Sequence, residues 1–372
     1  MIDGADPATV RAALDSGDPL PGTRGFAGRL DTEDGSALLV RDVLGRYPCF
    51  SEADDPTAWS VDPTDLSDPD PVPAGHVRTP DGDEQVWPLP DPPATDDDAV
   101  AITAVRAAVE ASTAAVETDG LAVAFSGGVD SAVLAARLDA PLYVAGFPDS
   151  HDVEAARSAA AAMDRDCTVV ELTHDDLERA VPELAHAIGR TNAMDVQIAL
   201  PLYLVAERVA ADGFDRLAVG QGADELFGGY AKVAKAPDDP RVDADTVRGA
   251  RREVVTTLPD QLERDVLALR AAGVEPVAPL LSDRVIEAAL PLPGHLLVAD
   301  PAPGEDRGDA ERKVALRRAA ASWLPDEVSA RDKKAVQYGS LVARELDRLA
   351  RQAGFKRRMD DHVTKYVRSL VD

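Results

Sequence analysis

Between Leu121 and Gly220, short apolar runs of strand length alternate with helical stretches, and this limits the fold more than any other feature of the chain. LAVAF at Leu121–Phe125 precedes the helical SAVLAARL. PLYVAGF precedes the alanine-rich DVEAARSAAAAM, and CTVVEL precedes a helical stretch over Asp175–Val209. RLAVG at Arg216–Gly220 reads as a further strand. Strands alternating with helices form βαβ units, so the expected fold is α/β with a doubly wound parallel sheet. After Tyr230 the strand signals fade. VDADTVRGARREVVTTL, LERDVLALRAA, AERKVALRRAAASWL and the tail from Gly339 read as a helical C-terminal region.

The first 98 residues have a different texture. Ser51–Pro93 is dense in Pro and Asp, and proline removes ladder donors and breaks helices. Short strands and turns are expected near GFAGRL, SALLVRDVL and HVRT, giving a small β-rich N-terminal domain. The run Asp96–Asp98 supplies an N-cap and favourable charge for a helix starting near Ala99. The expected division is therefore 1–98 and 99–372.

Charge excludes some partners. The 372 residues carry 39 Lys+Arg against 67 Asp+Glu, a net charge of −28. A phosphate backbone needs a basic footprint and an anionic membrane attracts basic segments, so neither nucleic acid nor a membrane surface is an expected partner. Lysine occurs only at positions 232, 235, 313, 333, 334, 356 and 365. Abundant Asp with scarce Lys reads as a surface adapted to high salt (halophilic), where a Debye length of about 3 Å at ~1 M screens self-repulsion. Cys49 and Cys167 make neither a disulfide framework nor a C-x-x-C metal pair. The N-terminus lacks the basic and apolar regions of a signal peptide, and no apolar run reaches membrane-spanning length, so a soluble cytoplasmic protein is expected. The six histidines show no ligand spacing, and Trp59, Trp87 and Trp323 read as structural.

Two glycine-rich loops carry the chemistry. In AFSGGVDSAVLAARL, residues Ser126, Gly127, Gly128, Asp130 and Ser131 stand between a strand and a helix. The glycines let backbone N–H groups approach an anion, and the helix N-terminus adds its positive dipole end. Asp130 can hold a Mg²⁺ that bridges phosphates. The string lacks the G-x-x-x-x-G-K-[ST] of a Walker A loop. In LAVGQGADELFGGY, Leu217–Tyr230, a strand again ends in a glycine-rich turn, followed by Asp224 and Glu225. Ligands of open α/β sheets bind at the carboxyl ends of strands, so both loops are expected to face one crevice, with Asp130 and Asp224 sharing one metal ion.

SGGVDS, with GQGADELFGGY about ninety residues later, resembles the synthetase domain of the asparagine synthetase family, a PP-loop ATP pyrophosphatase. The likeness runs from about Ala99 to Lys365 and includes AGFPDSHDVEAA, ALPLYLVAER, LERDVLALRAAGVEP and RDKKAVQYGS. It implies a sheet of the PP-loop adenine-nucleotide type. It also implies ATP-dependent adenylation of a carboxylate, release of pyrophosphate, and displacement of AMP by ammonia. Carried over by position, Ser126–Ser131 would bind pyrophosphate, and Asp130 and Asp224 would hold Mg²⁺. Ala124, Ala145, Val219 and Gly220 would line the adenosine pocket. Lys333 would neutralise charge building on the α-phosphate. Residues 1–98 resemble a shortened glutaminase domain of the same family.

Four departures qualify the likeness. Position 2 is Ile2, where the family has the glutamine-attacking cysteine, so no glutamine hydrolysis is expected and ammonia or a separate glutaminase supplies nitrogen. Gln221 stands where the family has a Glu that handles the proton of the attacking amine, and an amide is no general base. Gln197 replaces an Arg near the substrate carboxylate. VEPVAPLLS lacks the Arg and Asp of the family's V-E-x-R-x-P-F-L-D. The resemblance therefore implies a carbon–nitrogen ligase acting on aspartate. Two alternatives stay open: the same chemistry on another carboxylate, or a nucleotide-binding regulatory protein with attenuated catalysis.

Overall fold

The computed structural model describes residues 1–32, 37–148, 150–238, 244–301, 306–331 and 338–371. The N-terminal strands are β1 (Ile2–Asp3), β2 (Ala27–Asp31), β3 (Ala37–Arg41), β4 (Phe50–Glu52), β5 (Trp59–Ser60), β6 (Pro69–Pro71), β7 (His76–Thr79) and β8 (Gly82–Gln85). Five form an antiparallel sheet in the order β1-β2-β3-β7-β8, and three form a small sheet, β5-β4-β6. GFAGRL, SALLVRDVL and HVRT supply β2, β3 and β7, as expected. The prolines of β6 are tolerated because that strand pairs with β4 alone and is exposed.

The helix Asp98–Ala114 opens on Asp97, whose carboxylate accepts from the Ala99 and Val100 N–H groups. Then come β9 (Leu121–Ala124), β10 (Leu142–Gly146), β11 (Cys167–Glu171), β12 (Arg216–Ala218) and β13 (Glu275–Val277). All pair in parallel, in the order β11-β10-β9-β12-β13. The chain enters at the central strand, steps outward through β10 and β11, and returns to the other side of β9 with β12. The loops leaving β9 and β12 are thus neighbours at the point where the strand order reverses, where α/β sheets open a crevice.

Two expectations need correction. The helical stretch over Asp175–Val209 is two helices, His174–Ile188 and Ala193–Ala211. The first is closed by Gly189 in the left-handed region (φ 64°) and opened by a capping box of Thr173 with Asp176. A fifth strand, β13, lies beyond Tyr230. It is three residues long with Pro276 at its centre, and it is possible because β13 is an edge that bonds only to β12.

The N-terminal layer shares one hydrophobic core with the parallel sheet, running through Phe26 and Trp87 to Val105, Val123 and Leu134. Trp87 stacks edge-on against Phe26 at 5.1 Å and donates its indole N–H to the Ala13 carbonyl. Polar contacts across the same boundary are buried. Asp283 accepts from the Arg46 guanidinium at 2.6 Å and from the Thr23 N–H at 2.7 Å. Among the described residues no helix is long and apolar enough to cross a membrane.

Candidate functional site

The turn after β9 is built so that its backbone faces outward. Gly127 has φ 73°, and a Cβ there would lie 2.9 Å from the Ala155 carbonyl oxygen. Gly128 caps the helix Val129–Arg137 with no side-chain hydrogen bond, leaving first-turn N–H groups for another acceptor. The Ser131 hydroxyl braces the loop, accepting from the Ser126 N–H at 3.1 Å and donating to the Gly128 carbonyl at 3.2 Å. Gly127→Ala is expected to cost about 1–3 kcal/mol through its left-handed conformation and crowding, read as a lower denaturation midpoint.

Above this turn opens a cavity of about 970 Å³. Ser126, Gly127, Gly128 and Asp130 line one side, and Ala145, Phe147 and Leu172 form an apolar wall. Arg312, Lys313 and Arg331 bring positive charge to it. The cavity therefore pairs an apolar slot with an anion cradle. Ala124 ends β9 and Val219 directly follows β12, and neither lines it. Gly220 is pressed against the first loop: a Cβ on it would stand 3.0 Å from the Asp130 Cβ. This contact brings Asp224 beside Asp130.

Lys313 joins the two. Its ammonium stands 2.5 Å from Asp130 Oδ2 and 2.7 Å from Asp224 Oδ1, with the side chain only 3% exposed. Burial works against its charge, but Asp130 and Asp224 outweigh burial and hold its pKa above the ordinary lysine value. Its backbone is left-handed (φ 59°), and its N–H bonds the Leu297 carbonyl, which fixes the residue just before the helix Val314–Ala320. Sequence reasoning noted Lys313 among the five lysines in segments that match the family but gave it no role. The signal was a lysine at a helix start in a chain that otherwise uses Arg.

The donor set fits a hard divalent cation. Asp130 Oδ1 is buried with no hydrogen-bond partner among the described residues, a polar atom that a bound cation would satisfy. No cluster of three acidic, His or Cys ligands exists among the described residues. Mg²⁺ needs none, since it keeps waters and binds through one or two carboxylates plus phosphates. Glu225 points elsewhere: it is buried, accepts from the Tyr230 hydroxyl, and is pushed up by burial and by Asp224.

The positions at which the sequence departs from the family pattern lie after β12, after β13 and on the helix Ala193–Ala211. Gln221 donates from Nε2 to Asp265 Oδ2 at 2.5 Å. Gln197 is half-buried on the helix Ala193–Ala211. PLLS at 279–282 follows β13, and Leu281 packs on Gly222. Lys333 lies outside the described residues, but Arg331 beside it donates to the Ala155 carbonyl at 2.7 Å and lines the cavity. Cys49 is fully buried, and burial pushes its thiol up to about 12; Cys167 is raised to about 11 for the same reason.

The family model for asparagine synthase matches residues 103–253 and 232–370. A putative glutamine-hydrolysing asparagine synthetase 1 from Methanocaldococcus jannaschii is 30% identical over 281 residues, which is 68% of this chain and 52% of that protein. Asparagine synthetase B (glutamine-hydrolysing) of Escherichia coli is 25% identical over 197 residues, 53% of this chain and 34% of that protein. A probable glutamine-hydrolysing asparagine synthetase of Schizosaccharomyces pombe is 27% identical over 180 residues, 48% and 32% respectively. The chain thus spans about half the length of the first relative and a third of the others.

Proposed function

The chain belongs to the asparagine synthase family, and from that premise we propose that it is an ATP-dependent amide synthetase that converts aspartate to asparagine, forming AMP and pyrophosphate. The observation that carries this reading is the meeting of Asp130 and Asp224 beside the Ser126–Ser131 loop. The sheet is read as doubly wound and of the PP-loop type, with 99–372 as the synthetase and 1–98 as a degenerate glutaminase-like layer. The setting is read as cytoplasmic.

In this mechanism Ser126, Gly127, Gly128 and Ser131 hold the β,γ-pyrophosphate of ATP by backbone and hydroxyl donors. Adenosine lies along Ala145 and the apolar wall of the cavity, whereas the other family positions, Ala124, Val219 and Gly220, are not among its lining residues. Asp130 and Asp224 would hold Mg²⁺, which supplies charge neutralisation on the phosphates. An aspartate β-carboxylate oxygen attacks the α-phosphorus; the new P–O bond forms as pyrophosphate leaves with its electron pair. Lys333 offsets the charge that develops on the α-phosphate. Ammonia then attacks the acyl carbon. The C–N bond forms, the C–O bond to AMP breaks, and a proton passes to water.

Nitrogen comes as ammonia, free or from a separate glutaminase. The support is that burial holds the thiols of Cys49 and Cys167 protonated. A second reading, amidation or cyclisation of another carboxylate, is favoured by Gln221, Gln197 and the altered 279–282 segment.

ATP–pyrophosphate exchange with a panel of carboxylic acids at high salt tests these readings. Aspartate-dependent exchange, with asparagine formed from ammonia and none from glutamine, is the expected result. Exchange with a different acid only selects the second reading. Nucleotide binding with no exchange refutes both and leaves a regulatory protein. The charge of −28 gives a further expectation. Thermal midpoints are expected to fall between about 1 M and about 0.1 M KCl, as the Debye length grows from roughly 3 to 10 Å. A flat profile overturns the high-salt reading.

A further inference from the structure

Four residues lead from β12 to the short helix that carries Asp224, and each is held from a different side. Val219 gives its N–H to the Val277 carbonyl of β13 at 2.9 Å. Gly220 is pressed on Asp130, and Gln221 donates to Asp265. Gly222 is left-handed (φ 89°), opens the helix Ala223–Leu226, and lies so close to Leu281 that a Cβ on it would overlap that side chain.

Two of these supports lean in turn on the N-terminal layer. Arg46, in the turn after β3, donates from Nη1 to the Leu281 carbonyl at 2.8 Å and to Asp283 Oδ1 at 2.6 Å. Its Nε donates to Asp42 Oδ1 at 2.8 Å. The Asp283 N–H bonds the Thr23 carbonyl at 2.9 Å. Arg41 of β3 pairs at 3.1 Å with Glu263, which stands two residues before Asp265 on the helix Leu258–Ala271. Arg41, Asp42, Arg46 and Asp283 are all buried. Such pairs are costly to desolvate and often add little net stability, so their better-attested use is to fix a position.

What they fix is the seat of Asp224. Gly222 rests on the turn at 279–281, and Arg46 holds the last carbonyl of that turn. We propose that Arg46 is a positioning residue for the cation pair: by anchoring Leu281 and Asp283 to the N-terminal layer, it sets the turn against which the Gly220–Gly222 loop closes, and thereby the place of Asp224 opposite Asp130. Residues 1–98 are then a scaffold of the synthetase site. Mg²⁺ demands near-ideal octahedral geometry, so a carboxylate displaced by a fraction of an ångström holds it less well. This deepens the proposed function and rests on its reading of Asp130 and Asp224 as a cation site.

The test measures binding of the unreactive analogue α,β-methylene-ATP by calorimetry at high salt, with Mg²⁺ and again in chelator. Arg46→Lys keeps the charge but loses the planar fork that reaches Leu281, Asp42 and Asp283 together. Its Mg²⁺-dependent gain in affinity is expected to fall about ten-fold, with affinity in chelator unchanged within about two-fold. Equal losses under both conditions, or no loss under either, overturn the proposal. Should wild-type protein bind no analogue or gain nothing from Mg²⁺, the functional reading fails, and a metal-free measurement still decides the position. Amide hydrogen exchange across 220–229 is expected to quicken about ten-fold or more in Arg46→Lys, while 121–125 stays within about two-fold. Unchanged exchange across 220–229, or equal acceleration in both segments, overturns the proposal. If Arg46→Lys fails to fold, Leu281→Val, which trims the side chain against Gly222 and leaves the ion pairs of Arg46 in place, is expected to move both readouts in the same direction; no movement overturns the proposal.

Discussion

Asp130→Asn is expected to reduce ATP–pyrophosphate exchange by roughly 10³-fold or more, with the fold retained. The change keeps the size of the side chain and removes its charge. Asp130 stands in the first turn of the helix proposed to receive the phosphates, and its buried Oδ1 has no hydrogen-bond partner among the described residues. The asparagine amide would turn a donor toward either the Lys313 ammonium or the ligand side, and neither choice suits a cation. Lys313 keeps Asp224, so the stability loss is expected to stay near 1–3 kcal/mol. Circular dichroism would register the retained fold. Exchange within a few-fold of wild type would remove Asp130 from the site.

Lys313→Met is expected to act first on stability. It leaves Asp130 and Asp224 facing each other at a place where a 3%-exposed ammonium had paired both. Breaking a buried pair from one side costs about 3–5 kcal/mol. In a chain of this size that corresponds to a fall in Tm of roughly 2–4 °C for each kcal/mol. Added Mg²⁺ is expected to recover more of the midpoint in the variant than in wild type, since the variant has lost the ammonium that pairs Asp130 with Asp224. A variant that melts like wild type in chelator, or that gains nothing from Mg²⁺, would show that the two carboxylates do not form a common cation site.

The sequence carried the parts of this molecule that rest on local chemistry. The strands β9, β10 and β12 were legible because apolar runs end at glycines, β11 because a β-branched run separates two helical stretches, and Asp97 was legible as a cap because an acidic run precedes an apolar one. The parts that rest on tertiary context were not. EPV at β13 has only Val277 as a strand former beside a Glu and a Pro, and it pairs because β12 offers it an edge. The break at Gly189 hid inside an apolar period that continues in the next helix. The bridge by Lys313 joins residues far apart in the chain, which no spacing rule encodes. Asp265 was invisible for the same reason: Gln221 looked like a lost base, and the buried carboxylate behind it became apparent only in three dimensions.

The placement of Lys313 also sets an order of events when the chain is made. A growing chain presents Asp130 first, then Asp224, and Lys313 only some ninety residues later. Once β12 docks on β9, the two acids are brought together before the lysine that neutralises them has been synthesised. In that interval two like charges face each other, and their mutual repulsion weakens as dissolved salt shortens the Debye length. Salt is therefore expected to favour early closure of the central strands in a chain cut short before Lys313.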